Sequence, residues 1–360
     1  MALLRVEGFD HQNTSTDLIS DSGAFVWRSA NAAVALTAYG SGIGGIGKAI
    51  TGANSVQLYG VLTTPLSAAF IGMALDIDPS PGSAYGVYLW NSVTQNPNIS
   101  AFHCQIAVSL NPVNGQISVY RDGTGGGPVL GQTGNNAFTN NTGFYLEIGV
   151  VVATGTSGSV VVKVNGTTVL NITGVNTSQD GNAIFDTIQV GGGVGSVNGG
   201  NGCLTDHMYI CDSTGGSFNT FLGPIQVYTL FPSAAGASTQ YTPLSGTNVS
   251  QVQETAMDSD TTYNFDSTIG DEDLFTIQTL PVNVAPLAVQ VTGAYRQDSG
   301  GTRAMANLLD SSGTVSTGTS IVLNTVYTYQ HDVYTLNPNG SVAWTRATVD
   351  AAQIGYKTTA

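Results

Sequence analysis

Val160-Val161-Val162-Lys163-Val164-Asn165-Gly166-Thr167-Thr168-Val169-Leu170-Asn171-Ile172 decides the fold class. Two runs rich in β-branched residues flank an Asn-Gly pair. Asn and Gly tolerate the positive φ that a two-residue type I′ turn demands, so the stretch predicts a β-hairpin. Outward from it the same grammar repeats. Phe144–Ala153 precedes the hairpin, and Phe185–Val190, Cys203–Cys211 and Gly223–Leu230 follow it. On the N-terminal side lie Phe25–Ser29, Val34–Tyr39, Ser55–Leu58, Ala68–Ile77, Ala84–Trp90, His103–Leu110 and Gln116–Arg121, the last two separated by Asn114-Gly115. Strands at this spacing, with no helical period between them, predict a sandwich or jelly roll. One short capped turn is expected at Thr14–Ile19.

Phe231–Ser238 is small, uncharged and Pro/Gly-bearing, which places a boundary near residue 232. The domains expected are 1–232 and 233–360. The second has strands at Phe275–Leu280, Leu287–Arg296, Ala304–Leu309, Tyr327–Thr335 and Gln353–Lys357, with a helical turn within Trp344–Asp350. The fold class expected is therefore all-β, an N-terminal jelly roll followed by a C-terminal antiparallel β-sandwich.

Composition narrows function. Hydrophobic residues make up 41% of the 360, enough for real cores, while charged residues make up only 9%. Nine basic residues face 23 acidic ones, a formal charge of −14. The boundary at 232 divides this charge into −7 on each side. Scattered Lys and Arg cannot neutralise phosphates, so neither nucleic acid nor anionic lipid is an expected partner. The start MALLRVEGFD lacks a basic region followed by an apolar one, and no run of 18 apolar residues exists to insert into a bilayer. Cys104, Cys203 and Cys211 are expected as buried thiols, with a Cys203–Cys211 bridge the open alternative.

Reactive groups do not converge in the sequence. Gly42-x-Gly44-x-x-Gly47 matches a dinucleotide fingerprint, but Gly52 breaks the helix that should follow, so the glycines read as a tight turn. Glu7, Glu147, Glu254 and Glu272 share no strand, and Asp76 and Asp78 run into Pro79 and Pro81, so paired glycosidase carboxylates are not expected. His103 and Cys104 are neighbours on a strand and point to opposite faces. No enzyme activity is expected. Calcium is the one plausible ion and no other cofactor is expected. The calcium candidates are Asp206 and Asp212 beside a strand, and Asp258 and Asp260 in an acidic loop that continues to Asp271-Glu272-Asp273. For carbohydrate the candidates are Tyr85, Tyr88, Trp90 and Tyr120, because rings stack on pyranose faces; Tyr88 and Trp90 share a strand face. Packing in a sandwich core is the competing reading for all four.

Several phrases together resemble a known family. Gly40–Ile50 (GSGIGGIGKAI) resembles the glycine turn opening concanavalin A-like, laminin-G-type jelly rolls. Phe144–Val152, Val162–Val169, and Thr205–Ile210 followed by Gly215 resemble their later strands. Glu7–His11 (EGFDH) is similar to virion proteins of tailed bacteriophages that carry this jelly roll. Leu222–Val227, Gln240–Pro243, Asp298–Arg303 and Trp344–Gly355 resemble their second domain. The resemblance implies a non-enzymatic structural protein of the virion, assembled in the bacterial cytoplasm, in a tail fibre, spike or collar. A capsid decoration (head fibre) protein and a carbohydrate-binding lectin module are the alternatives. The partners it implies are other virion proteins, further copies of the chain in a homo-oligomer, and host surface glycan. The family has paired acids where this chain has Thr205-Asp206, and it brings no catalytic residues.

Overall fold

The computed structural model describes residues 3–11, 21–30, 35–39, 47–52, 57–77, 85–91, 103–122, 127–192, 203–255, 257–299 and 301–360. The capped turn at 14–19, the glycine stretch 40–46 and Asp78 lie outside them. The chain divides into two compact units. The first comprises residues 1–9, 14–19 and 24–227. The second takes residues 228–360 together with two pieces from near the N-terminus, 10–13 and 20–23.

The described strands of the first unit are β1 (Leu3–Glu7), β2 (Phe25–Ala30), β3 (Ala35–Tyr39), β4 (Gly47–Gly52), β5 (Gln57–Leu66), β6 (Ala68–Ile77), β7 (Tyr85–Asn91) and β8 (His103–Asn111). They continue with β9 (Gln116–Tyr120), β10 (Val129–Gln132), β11 (Phe144–Val151), β12 (Gly158–Val164), β13 (Thr167–Val175), β14 (Phe185–Gly192) and β15 (Cys203–Asp212). They form an eight-stranded sheet, β13-β12-β11-β6-β15-β4-β3 with β1 also on β15, and a seven-stranded sheet, β10-β9-β8-β7-β14-β5-β2. All their ladders are antiparallel, and strands distant in sequence pair at β6–β15 and β14–β5, as a jelly roll requires. The decisive hairpin forms as β12–β13, with Asn165 at φ 49° and Gly166 at φ 77°. Alternation does the rest. Leu146, Ile148 and Val150 of β11 meet Val87 and Leu89 of β7 in one core that also buries Trp27 completely.

Gly223–Leu230, expected as a strand, joins no ladder. Within it Ile225 and Val227 are more buried than Pro224 and Gln226. Cys211 is a free, buried thiol. Cys203 and Cys211 stand at opposite ends of β15, so eight residues of strand, about 26 Å, separate them and no bridge forms.

The second unit holds β16 (Pro232–Thr239), β17 (Thr242–Pro243), β18 (Asn264–Phe265), β19 (Glu272–Ile277), β20 (Val289–Tyr295), β21 (Ala304–Ser311), β22 (Thr314–Thr317), β23 (Ile321–Val322), β24 (Thr328–Tyr334) and β25 (Gln353–Thr358), with helix α1 (Arg346–Asp350). A six-stranded sheet, β16-β19-β25-β21-β22 with β23 on β21, packs against the β20–β24 ribbon over Leu280, Val291, Leu309 and Trp344. Between the layers sits Asn307. It accepts from the Tyr295 hydroxyl, and its amide nitrogen lies within 3.2 Å of the Val291 and Gln330 carbonyl oxygens. The N-terminal pieces extend this unit: Asp21 bridges Tyr329 in parallel on the edge of β24, and His331 Nε2 lies 2.7 Å from Asp21 Oδ1.

Candidate functional site

The register of the seven-stranded sheet places one row of residues across five strands. Tyr59 of β5 opposes Gln189 of β14, Gln189 opposes Tyr88 of β7, Tyr88 opposes Ala107 of β8, and Ala107 opposes Tyr120 of β9. Their sequence neighbours Leu58, Ile188, Val190, Val87, Leu89, Ile106 and Val119 belong to the core. Alternation therefore puts the whole row on the outer face of the sheet. Four strand spacings of about 4.8 Å make the row roughly 19 Å long.

Three of the four aromatic candidates meet there. Tyr88, Trp90 and Tyr120 form one cluster with Cys104 and Ala107, and the Tyr88 and Trp90 rings stack 6.0 Å apart at 26°. The Tyr88 ring lies back along its own strand over Gly86, where an added Cβ would come within 2.6 Å of it. Tyr85 belongs elsewhere: it packs in the core between the sheets, with its hydroxyl 2.8 Å from Thr205 Oγ1. Tyr88 is 1% and Trp90 8% exposed, while Tyr59 and Tyr120 at the two ends are half-buried.

Gln189 is the member that no local pattern announces. Trp90 Nε1 donates to its Oε1 at 3.0 Å, yet its Nε2 is buried with no acceptor among the described residues. A buried amide nitrogen without an acceptor costs about 1–3 kcal/mol, and at 6% exposure Gln189 keeps this one away from solvent. Beside the row, Asp180 accepts from Asn91 Nδ2 and Gln105 Nε2, both at 2.7 Å, and from Asn182. Burial alone would raise the Asp180 pKa, but the bonds from Gln105, Asn182 and Asn91 outweigh it and hold the carboxyl below its usual value. The loop carrying Asp180 is thereby fixed to β7 and β8.

Each calcium candidate is engaged by groups of the chain itself. Asp206 and Asp212 lie six residues apart along β15, about 20 Å. Asp206 Oδ1 accepts the His207 N–H at 2.6 Å, and Asp212 Oδ1 accepts both the N–H and the hydroxyl of Thr214 at 2.8 Å. Asp258 is engaged by Thr262, and Asp260 by Arg296 and Tyr327. Among the described residues no three His, Cys, Asp or Glu side chains gather as a metal site.

The outer face of the other sheet carries a buried polar network, in which Glu147 Oε2 has no hydrogen-bond partner among the described residues. Tyr209 donates to Glu147 Oε1 at 2.7 Å, Gly223 N–H reaches the same oxygen at 2.9 Å, and Tyr145 donates to the His207 carbonyl at 2.9 Å. Glu147 is completely buried, so it serves this network and faces no cleft. Burial pushes the Tyr209 hydroxyl far up and lowers the His207 pKa to about 4. The Val227 N–H points at His207 Nδ1 from 3.4 Å, which suits the neutral ring. An unfolded His takes its proton near pH 6.5, before the folded one does. Stability is therefore whole above about pH 6.5 and is lost as pH falls toward 4. The loss is expected to be about 2–3 kcal/mol. Urea midpoints at pH 7 and 4.5 measure it, and His207→Gln should flatten the difference.

No protein-family model matches the chain, and no curated protein does. Solved structures with a similar arrangement include an endo-β-1,4-glucuronan lyase from Trichoderma reesei, at 13% identity over 56% of this chain and 95% of that one, TM-score 0.41. Alginate lyase vAL-1 from Chlorella virus is similar at 12% identity over 58% and 99%, TM-score 0.43. Carbohydrate-binding module CBM66 from Bacillus subtilis is similar at 9% identity over 52% and 96%, TM-score 0.33. At these scores the likenesses carry no argument about what this chain does.

Proposed function

We propose that this protein is a non-catalytic, glycan-binding structural protein, and that the first unit binds an extended, uncharged saccharide along the outer face of its seven-stranded sheet. The observation that carries the reading is the single register row Tyr59–Gln189–Tyr88–Ala107–Tyr120. It presents half-buried rings at both ends, Tyr59 and Tyr120, with the stacked Tyr88–Trp90 pair buried between them. The half-buried Tyr59 and Tyr120 rings supply stacking area for pyranose faces. A net charge of −14 repels acidic polymers, which favours a neutral one.

A glycan array followed by titration calorimetry tests this. Tyr120→Ala and Tyr59→Ala are each expected to weaken binding by about fivefold to twentyfold while the melting temperature stays within a few degrees. An array without hits for the wild-type chain would remove the reading. The setting we propose, a bacteriophage tail fibre, spike or collar where the saccharide belongs to the host surface, rests on the sequence resemblance. Antibody labelling of intact particles checks it, and absence of the chain from purified virions would reject it whatever the array shows.

A further inference from the structure

Every Asn-Gly pair carries a latent reaction. Glycine has no side chain to shield its amide nitrogen, which can attack the preceding Asn side chain and close a succinimide ring. The sequence holds five such pairs, beginning at Asn114, Asn165, Asn198, Asn201 and Asn339. Those at 198 and 201 lie outside the described residues. The other three are alike in sequence, and the fold treats them differently.

Two are held shut. Asn165 Oδ1 accepts the Tyr145 N–H at 2.8 Å, and the Asn165 N–H donates to the Tyr145 carbonyl at 2.8 Å. The tip of the β12–β13 hairpin is thereby clamped to β11. At the β8–β9 turn the nucleophile itself is engaged, because the Gly115 N–H donates to the Asn111 carbonyl at 2.9 Å. Asn114 Oδ1 accepts the Gln116 N–H at 3.1 Å, and Gly115 is buried. Asn339-Gly340 has none of this. It lies in the loop 338–341, tied at its ends by the Asn337 N–H and the Val342 carbonyl, 2.8 Å apart. Residues 339–341 are exposed, and Gly340 turns the chain at φ 86°. The Asn339 N–H reaches Asn337 Oδ1 at 2.9 Å. Neither the Asn339 side-chain amide nor the Gly340 N–H has a hydrogen-bond partner among the described residues.

We infer that Asn339 is a self-modification site, deamidating in the folded protein well before Asn165 and Asn114, with water as the only co-reactant. The Gly340 nitrogen gives its proton to hydroxide and bonds to Asn339 Cγ. The Cγ–Nδ2 bond breaks, and the amide leaves as ammonia, taking a proton from water and regenerating the hydroxide. Water then opens the ring at one of its two carbonyls. One opening leaves an aspartate. The other leaves an isoaspartate, whose main chain runs through Cγ and lengthens the tied loop by one carbon. The inference holds whether or not the first unit binds a glycan.

Timed incubation of the full chain at neutral and mildly alkaline pH, followed by peptide mass spectrometry, tests it. Cleavage at Arg303 and Arg346 releases residues 304–346, in which Asn339 is the only Asn followed by Gly. This peptide is expected to show the mass gain of an amide turned acid, faster at the higher pH, and to accept methyl from an isoaspartyl methyltransferase. Asn339→Gln should abolish both signals. Each protecting hydrogen bond is worth about 1 kcal/mol and the anchored turns must also open, so Asn165 and Asn114 should lag by about tenfold or more. In denaturing urea that protection is gone, and the three rates should fall within about threefold of one another. Three outcomes overturn the inference: Asn165 or Asn114 keeping pace with Asn339 in the folded chain, Asn339 staying intact there, or the lag persisting in urea.

Discussion

An Asp273→Ala variant is expected to lose about 3–5 kcal/mol of stability in the second unit, the larger part of what a domain of that size commonly has. Asp273 is fully buried on β19, and four donors converge on it. Oδ1 takes the backbone N–H groups of Gln240 at 2.7 Å and Tyr241 at 3.0 Å. Oδ2 takes Asn248 Nδ2 at 2.6 Å and the Tyr356 hydroxyl at 3.2 Å. Removing the carboxylate strands two backbone donors that nothing nearby can satisfy. Asp273→Asn keeps the volume but turns an NH2 toward one of those donor pairs, so it should fall between alanine and wild type. Trp344 belongs to this unit's core and reports its unfolding in urea. A loss below about 1 kcal/mol for alanine would mean that water reaches these donors in the folded state.

The second large effect belongs to Gly72→Val. On β6 the Tyr209 ring lies flat over Gly72, and a Cβ there would sit 2.0 Å from its Cε1. The ring cannot tilt away without giving up its bond to Glu147 and the Leu222 N–H that its hydroxyl accepts at 3.1 Å. Overpacking of about 1–3 kcal/mol adds to a charged hydrogen bond of about 1.5–3, so about 3–5 kcal/mol is expected. Tyr209→Phe loses only the bond and should cost less. Because the clash needs the ring, Gly72→Val is expected to cost much less in a Tyr209→Ala background, and a double-mutant cycle measures that relief.

These two positions mark the limit of what the sequence can tell. The β12–β13 hairpin, β11, the second-unit strands β19, β20, β21, β24 and β25 and the helical turn at Arg346–Asp350 follow from local pattern, because periodicity and turn chemistry act over a few residues. Phe231–Ser238, small and Pro/Gly-bearing, reads as a linker but pairs with β19 as β16. Asp273 reads as one acid of a cation-binding loop until the fold brings Gln240, Asn248 and Tyr356 to it. Gly72 reads as a weak point in a strand until Tyr209 arrives from 137 positions away. The shared face of Tyr88 and Trp90 is visible from alternation alone. The same alternation puts Tyr85, three positions from Tyr88, on the opposite face, whereas Tyr120 joins and Gln189 enters only through pairing registers, which a single sequence does not encode locally. Gly223–Leu230 looks like a strand because its burial alternates, but ladder partners, not alternation, make a sheet.

The two short pieces at 10–13 and 20–23 have a consequence for how the chain matures. Ser22 donates to Gln330, 308 positions later, at 2.6 Å. At about 5–20 residues per second, roughly 15–60 seconds of ribosome time separate their synthesis. The jelly roll can consolidate while its own N-terminal neighbours wait for the last third of the polypeptide. A fragment cut at residue 232 would orphan both sides of that late junction, which makes the uninterrupted chain the smallest piece worth expressing.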